Sequence, residues 1–221
     1  MRRDFKVPRM EEVLEHDRKL LFALKQSMGF VPNVYAFMTR SETALKRFMD
    51  FMDVSTVFDR IQTEAIHLVT SQVNQNPYCL AAHTALAKET GLSDKQIEAI
   101  RKGNVTWDEK LDTLVDFTCE LVTNRGKVGP EMIGRFYQAG YTDACLVDLV
   151  MLVGMTTITN YLNNRTFCFV FSICFFIYLD NYFLIVSCFC HFPFWNINVT
   201  FNIFVVRNNK PKVLTSFKSS N

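Results

Sequence analysis

The chain has 221 residues, 24 of them Lys or Arg and 22 Asp or Glu, for a formal net charge of +2. That length suits one sizeable domain, or a domain with an appendage, and so even a charge balance gives no reason to expect a nucleic-acid partner. The averages conceal a break near Asn164. Residues 1–164 hold 19 basic against 21 acidic residues, net −2, whereas residues 165–221 hold five against one, net +4, with 12 of the 21 Phe.

The first part is expected to be all-α, a helical domain spanning residues 1–164. "MRRDFKVPRMEEVLEHD" has basic residues with no apolar run behind them, so no secretory signal is read there. From Met10 to Met28, Val13, Leu20, Leu21 and Leu24 recur at helical spacing, and "GFVPN" breaks the pattern with Gly29 as its C-terminal stop. Further helices are expected over Ser41–Met52, over Asp59 to about Asn74, and over Pro77–Thr90, where Gly91 ends the run. Ser93 with Gln96, and Thr106 with Glu109, have the capping-box pattern, and Leu111, Leu114, Val115 and Leu121 make an apolar stripe behind the second. Gly126 and Gly129-Pro130 punctuate, and "GYTDA" opens a last apolar helix through Leu162 with Thr142 as its cap. No window shows sustained period-two alternation.

Residues 165–221 form a second, Phe-rich apolar part. Between Thr166 and Val206 the one formal charge is Asp180, and the stretch is long enough to span a bilayer, although Asp180-Asn181 and "FPFW" interrupt it. Phe, Ile, Asn, Tyr and Cys together also match the translation of an AT-rich non-coding stretch. The two readings are a read-through sequence and a membrane anchor. The seven cysteines show no CxxC pair and no regular spacing, which points to a reduced, cytoplasmic compartment, with membrane attachment if the tail is a genuine segment. Cys119 and Cys145 fall on apolar helix stripes and are expected in the core, and Met151 and Met155 in core or interface.

Chemistry concentrates at "SQVNQNPYCLAAHTALA". Asn76 before Pro77 is a helix N-cap followed by an N1 proline, placing Cys79 in the first turn, where unpaired amides and the helix dipole favour a thiolate. His83 lies one turn on and projects from the same face, so it can take the thiol proton. If the helix of residues 59–74 packs alongside, Glu64 reaches the far imidazole nitrogen and fixes its tautomer. The competing reading is structural, since cysteine and a lone histidine on an apolar face are common core residues. Cys79, His83 and Glu64 could also supply three metal ligands, but no fourth is evident, and no metal or cofactor is expected. His67, one turn from Glu64, could join the relay or be a partly exposed helix histidine. Tyr78 could line a pocket or simply pack, and Ser71 is expected to be structural.

The stretches "GFVPNVYAFM", "EAIHLVTSQVN", "YCLAAHTALAKETGLSDKQIEAIRKG" and "GYTDACLVDLVMLVGMTTITNYLNN" resemble, in order over about residues 10–164, the carboxymuconolactone decarboxylase-like superfamily, and within it the AhpD-like peroxidase-related proteins. The resemblance implies the AhpD-like helical fold, a dimer, trimer or hexamer of identical chains, and a site built between helices. Its redox members carry a Glu, a Cys-x-x-Cys, and a His four residues after the second Cys. Glu64, Cys79 and His83 match these, and the resemblance makes Cys79 the thiol that attacks peroxide and His83 and Glu64, with a water, its proton relay. The first motif cysteine is replaced by Asn76, so no internal disulfide partner stands there for Cys79. Asn160 and Asn163 match a pattern near the end of the family domain and are expected to hydrogen-bond at a helix junction.

The expected function is a thiol-dependent, peroxidase-like reduction of a small-molecule hydroperoxide, with Cys79 as nucleophile and an external thiol as reductant. Two alternatives stand: a lactone decarboxylase-like lyase using His83 and Glu64, and a non-catalytic helical assembly protein.

Overall fold

The structure is a computed structural model. It describes residues 6–52 and 55–166, with side chains through Asn164, and the backbone of four strands between 175 and 218. The chain divides into two compact units, Met1–Cys168 and Phe169–Asn221.

The first unit contains nine helices among its described residues: α1 (Glu15–Met28), α2 (Asn33–Met38), α3 (Ala44–Met52), α4 (Arg60–Val73), α5 (Pro77–Glu89), α6 (Asp94–Lys102), α7 (Glu109–Thr123), α8 (Pro130–Gln138) and α9 (Asp143–Thr166). A single 3-10 turn at Met10–Glu12 precedes α1, where a continuous helix was expected from Met10. Gly29 ends α1 in the left-handed region at φ 80°, and Ser93 with Gln96 forms the expected capping box of α6. The box expected from Thr106 and Glu109 is not formed. Asp108 caps α7 instead, its carboxylate accepting from Leu111 N–H, because the helix begins two residues later. Helix α2 follows Pro32 and α8 begins at Pro130, prolines that the sequence pattern treats as breaks. Pro130 is the first residue of α8, where a missing N–H costs nothing.

Two apolar clusters organise the unit. The larger joins α4, α6, α7, α8 and α9 around Leu68, Ile100, Leu114, Phe117, Phe136 and Leu149. Phe136 stacks on Tyr141 at 4.6 Å and meets Phe117 at 4.3 Å. The smaller joins α1, α2 and α3 through Leu21, Val34, Met38, Leu45 and Phe48, with Met155 and Leu162 of α9 packed against it. Helix α9 therefore serves both clusters. Its segment Asp143–Asn164 is, by length and composition, one helix among the described residues able to cross a membrane. Here, however, Leu149, Leu152, Thr156, Asn160 and Asn163 are buried in the helical unit. Cys119 is exposed and Cys145 half-buried, not core as expected, because each sits at the edge of its helix's apolar stripe.

The second unit is an antiparallel meander of β1 (Phe175–Leu179), β2 (Tyr182–His191), β3 (Asn198–Arg207) and β4 (Lys210–Lys218), in the order β1-β2-β3-β4. Phe183 pairs with Val206 and Cys190 with Val199, and a register shift lies between Ile203 and Phe204. The all-α reading of residues 1–164 holds, and the sequence assigned no secondary structure to this tail. Phe, Ile, Val and Tyr favour strands, but in near-continuous apolar runs they give no period-two signal. Cys168, Cys174, Asp180 and Phe192–Trp195 lie outside the described residues.

Candidate active site

Helices α4 and α5 are joined by a three-residue turn that sets their faces against each other. Asn74 closes α4, Gln75 takes the left-handed conformation at φ 52°, uncommon for a non-glycine residue, and Asn76 opens α5. Asn76 is 1% exposed, and both its side-chain oxygen and its side-chain nitrogen are engaged. Its Oδ1 accepts from Cys79 N–H at 2.8 Å, while its Nδ2 donates to Asn160 O at 2.9 Å and to Asn164 Oδ1 at 2.8 Å. The residue standing at the first motif position thus caps α5 and bolts it to α9. Asn160, fully buried, extends the junction: its Nδ2 donates to Ser71 Oγ at 3.2 Å, and its Oδ1 accepts from Asn74 Nδ2 at 3.0 Å. Ser71 is structural, as its place on α4 suggested. Asn160→Ala would leave the buried Ser71 hydroxyl without this donor and remove one of the two bonds made by the Asn74 amide, at a cost of about 2 kcal/mol. The urea midpoint should fall accordingly, and an unchanged midpoint would mean that the junction is not held this way.

The short turn brings Glu64, on α4, against His83, on α5. His83 Nδ1 donates to Glu64 Oε2 at 2.8 Å, both side chains being mostly buried. That bond fixes the tautomer, leaving Nε2 as the acceptor. Cys79 and His83 border one cavity of about 150 Å³. Among the described residues the sulfur makes no direct hydrogen bond to His83, so a proton passing between them needs a bridging molecule. Asn163 Nδ2 donates to Cys79 Sγ at 3.2 Å. Thr159 Oγ1, whose own proton goes to Thr156 O, stands 3.9 Å from the sulfur and accepts from the thiol.

The thiol departs from expectation. Burial pushes the Cys79 pKa above its ordinary 9.0, and the hydrogen bond from Asn163 offsets only part of this. The helix start does not supply the expected anion-stabilising amide, because Cys79 N–H is spent on the Asn76 cap. Cys79 therefore rests as a neutral thiol.

His67, expected to be partly exposed, is 7% exposed. Its ring stacks on His83 with centroids 4.3 Å apart and planes inclined by 22°. Its Nδ1 lies 2.6 Å from Thr156 Oγ1, whose proton goes to Leu152 O at 2.7 Å. Burial, then the neighbouring His83, hold the imidazole well below the usual 6.5. The titratable groups around the same cleft are His83, Cys79 and Tyr78 on α5 and Tyr35 on α2, with Glu64 bonded to His83. The sign follows directly: below pH 6.5 the unfolded chain takes up a proton that the folded chain refuses. Stability should then fall by up to about 1.4 kcal/mol per pH unit as pH drops below 6.5. Urea midpoints between pH 7.5 and 5 should show a steeper loss in wild type than in His67→Asn. Parallel losses would contradict the assignment.

Over the cleft lie residues of α1–α3 and their connections that the sequence did not mark: Met28, Phe30, Tyr35, Phe48 and Met52. Tyr35 donates its hydroxyl to Met52 Sδ at 3.6 Å, and burial pushes its pKa up to about 12, so it stays protonated. Tyr78 also lines the cleft. Thr156, Thr159 and Asn163 were missed as site residues, although with Asn160 they form a polar stripe at helical spacing on an otherwise apolar helix. Among the described residues no group of three His, Cys, Asp or Glu is placed to hold a metal ion.

Residues 32–109 match the Carboxymuconolactone decarboxylase family. The matched stretch runs from Pro32 through α2, α3, α4, α5 and α6 to the first residue of α7. The domain's helical fold is that of AhpD-like peroxidase-related proteins. It is similar to an alkylhydroperoxidase AhpD core, an uncharacterized peroxidase-related protein from Ralstonia eutropha JMP134, with TM-score 0.65, 18% identity, and coverage of 73% of this chain and 88% of that one. It is similar to an uncharacterized peroxidase-related protein from Silicibacter sp. TM1040, with TM-score 0.64, 20% identity, and coverage of 74% and 87%. It is also similar to a variant of the debrominase Bmp8 in complex with 2,3,4-tribromopyrrole, with TM-score 0.62, 14% identity, and coverage of 72% and 87%. None of the curated proteins compared matches the chain.

Proposed function

We propose that the helical unit reduces hydroperoxides at Cys79, with His83 and Glu64 handling the proton. The observation that carries this reading is one cavity bordered by a thiol and by an imidazole whose outer nitrogen is fixed by a carboxylate 2.8 Å away. His83 Nε2 takes the thiol proton through a bridging water. The sulfur electron pair then attacks the outer oxygen of R–O–O–H, the O–O bond breaks, and the alkoxide leaves with the proton returned from His83. The products are a sulfenic acid and an alcohol; sulfur loses two electrons and the peroxide gains them.

Among the described residues Cys79 is the one cysteine bordering the cleft, and an outside thiol is assigned the resolving step. That thiol condenses with the sulfenic acid, releasing water, and a second one reduces the mixed disulfide. The lyase alternative requires a carboxylate substrate. Among the described lining residues there is no Lys or Arg to pair with one, and this favours a neutral substrate. Self-association is part of the proposal: α9 presents Val147, Val150, Met151, Ile158 and Tyr161 to solvent, Val147 at 60% and Tyr161 at 61% exposure. The test is hydroperoxide consumption, coupled to a small-thiol reductant, by wild type and Cys79→Ser. Equal rates would dismiss the proposal.

A further inference from the structure

The hydroperoxide reading accounts for His83 but leaves a second imidazole on the same cleft without a task. His67 reaches α9 across the core. Thr156 Oγ1 has one proton and gives it to Leu152 O, so toward His67 it can only accept. The His67 proton is therefore on Nδ1, and Nε2 carries a lone pair. That nitrogen makes no hydrogen bond among the described residues, although the side chain is 7% exposed and borders the cavity. It is not one of the fully enclosed atoms that lack a partner, so its lone pair opens to the cavity, where a ligand carrying its own O–H can satisfy it.

The ring cannot turn away to find another partner. It is stacked on His83 at 4.3 Å and pinned by the 2.6 Å bond to Thr156. Both rings are thus held in one tautomer by separate partners, His83 by Glu64 and His67 by Thr156. The cleft consequently offers two imidazole acceptors from adjacent, near-parallel rings. One can serve the thiol proton while the other holds the substrate's. The remaining walls are largely apolar and aromatic, with Phe30, Phe48 and Met155 among them. Such a lining suits a neutral molecule that brings one hydrogen-bond donor.

We propose that His67 is a substrate-binding residue, its Nε2 accepting the O–H of a neutral hydroperoxide in the Cys79 cleft while His83 handles the thiol proton. This rests on the hydroperoxide reading for the substrate's identity, but the tautomer and the unused lone pair stand independently of it. Depression of the His67 pKa by burial keeps Nε2 unprotonated, and hence an acceptor, across neutral pH.

Two measurements test it. In the wild-type chain with 15N-labelled histidine, long-range proton–nitrogen correlation spectra should show His67 protonated at Nδ1 and bare at Nε2 at pH 7. Protonation at Nε2 would overturn the assignment whether or not peroxide is consumed. The second uses His67→Asn, whose amide reproduces the Nδ1 donor to Thr156 but has no counterpart of Nε2. Its kcat/KM for tert-butyl hydroperoxide should fall about tenfold, equivalent to roughly 1.4 kcal/mol, mainly through KM. Alkylation of its Cys79 by iodoacetamide, which needs no substrate O–H, should change less than about twofold. Equal falls in both rates would mean that His67 only supports the fold, and an unchanged peroxide rate would mean that it holds no substrate. Absence of peroxide consumption by wild type would dismiss the hydroperoxide reading itself, and with it the substrate assigned to His67.

Discussion

Replacing Cys79 with serine is expected to lower hydroperoxide consumption by a factor on the order of 10³, to the level of the uncatalysed reaction with the reductant. The reason is that Cys79 is the one thiol among the described residues lining the cleft: Cys119 and Cys145 lie elsewhere on the helical unit and cannot substitute. A companion measurement separates the resting state of the thiol from its reaction. Burial places the Cys79 pKa above 9.0, so the thiolate is a small fraction at neutral pH and grows about tenfold per unit as pH rises. Alkylation by iodoacetamide, followed at the Cys79 peptide by mass spectrometry, should therefore climb from pH 7 to 9 without levelling off. A plateau at pH 6–7 would mean an ionised sulfur and would contradict the burial seen here. Peroxide consumption should be less steep than alkylation over the same range, because His83 accepts the thiol proton during the reaction and spares the cost of a standing thiolate. Identical slopes would remove His83 from its role.

Local signals carried much of the fold. Asn76-Pro77, Ser93 with Gln96, and Gly29 announced helix ends through groups that act within a few residues, and the structure uses each of them as expected. Helices α2 and α8 were not legible, because a proline reads equally as a break and as a first helical residue, and only tertiary packing decides. The strands of the second unit were missed because continuous Phe- and Ile-rich runs carry no alternation.

At the site, the i,i+4 spacing of Cys79 and His83 put both on one face, and Glu64 needed only the α4–α5 antiparallel pairing to reach His83. What distance in sequence hid was the third wall. Asn163 touches the sulfur and Thr156 orients His67, each across more than 80 positions. The sign of the thiol shift was also illegible. A helix start favours the anion and burial opposes it, and burial could not be judged before α1–α3 were seen to cover the cleft.

Asn76→Cys should expose the two roles of that position at once. The asparagine caps α5 and holds Asn160 and Asn164, so its loss removes a cap worth about 1 kcal/mol and two further hydrogen bonds of about 1 kcal/mol each. The reduced variant should be less stable by about 3 kcal/mol, lowering Tm by very roughly 10 °C for a unit of this size. In exchange, a thiol enters the first turn of α5 three residues before Cys79, a separation that a helical turn brings within disulfide reach. After one equivalent of peroxide, the sulfenic acid on Cys79 should be attacked by the introduced thiol, releasing water and closing an intramolecular disulfide that wild type cannot form there. Tryptic mapping without reduction should find the 76–79 segment lighter by two hydrogens, and turnover with a dithiol reductant should rise. A variant that keeps its stability, or one whose Cys79 goes on to sulfinic acid with no crosslink, would contradict this. The first result would deny that Asn76 bolts α5 to α9; the second would deny that position 76 faces the attacking sulfur.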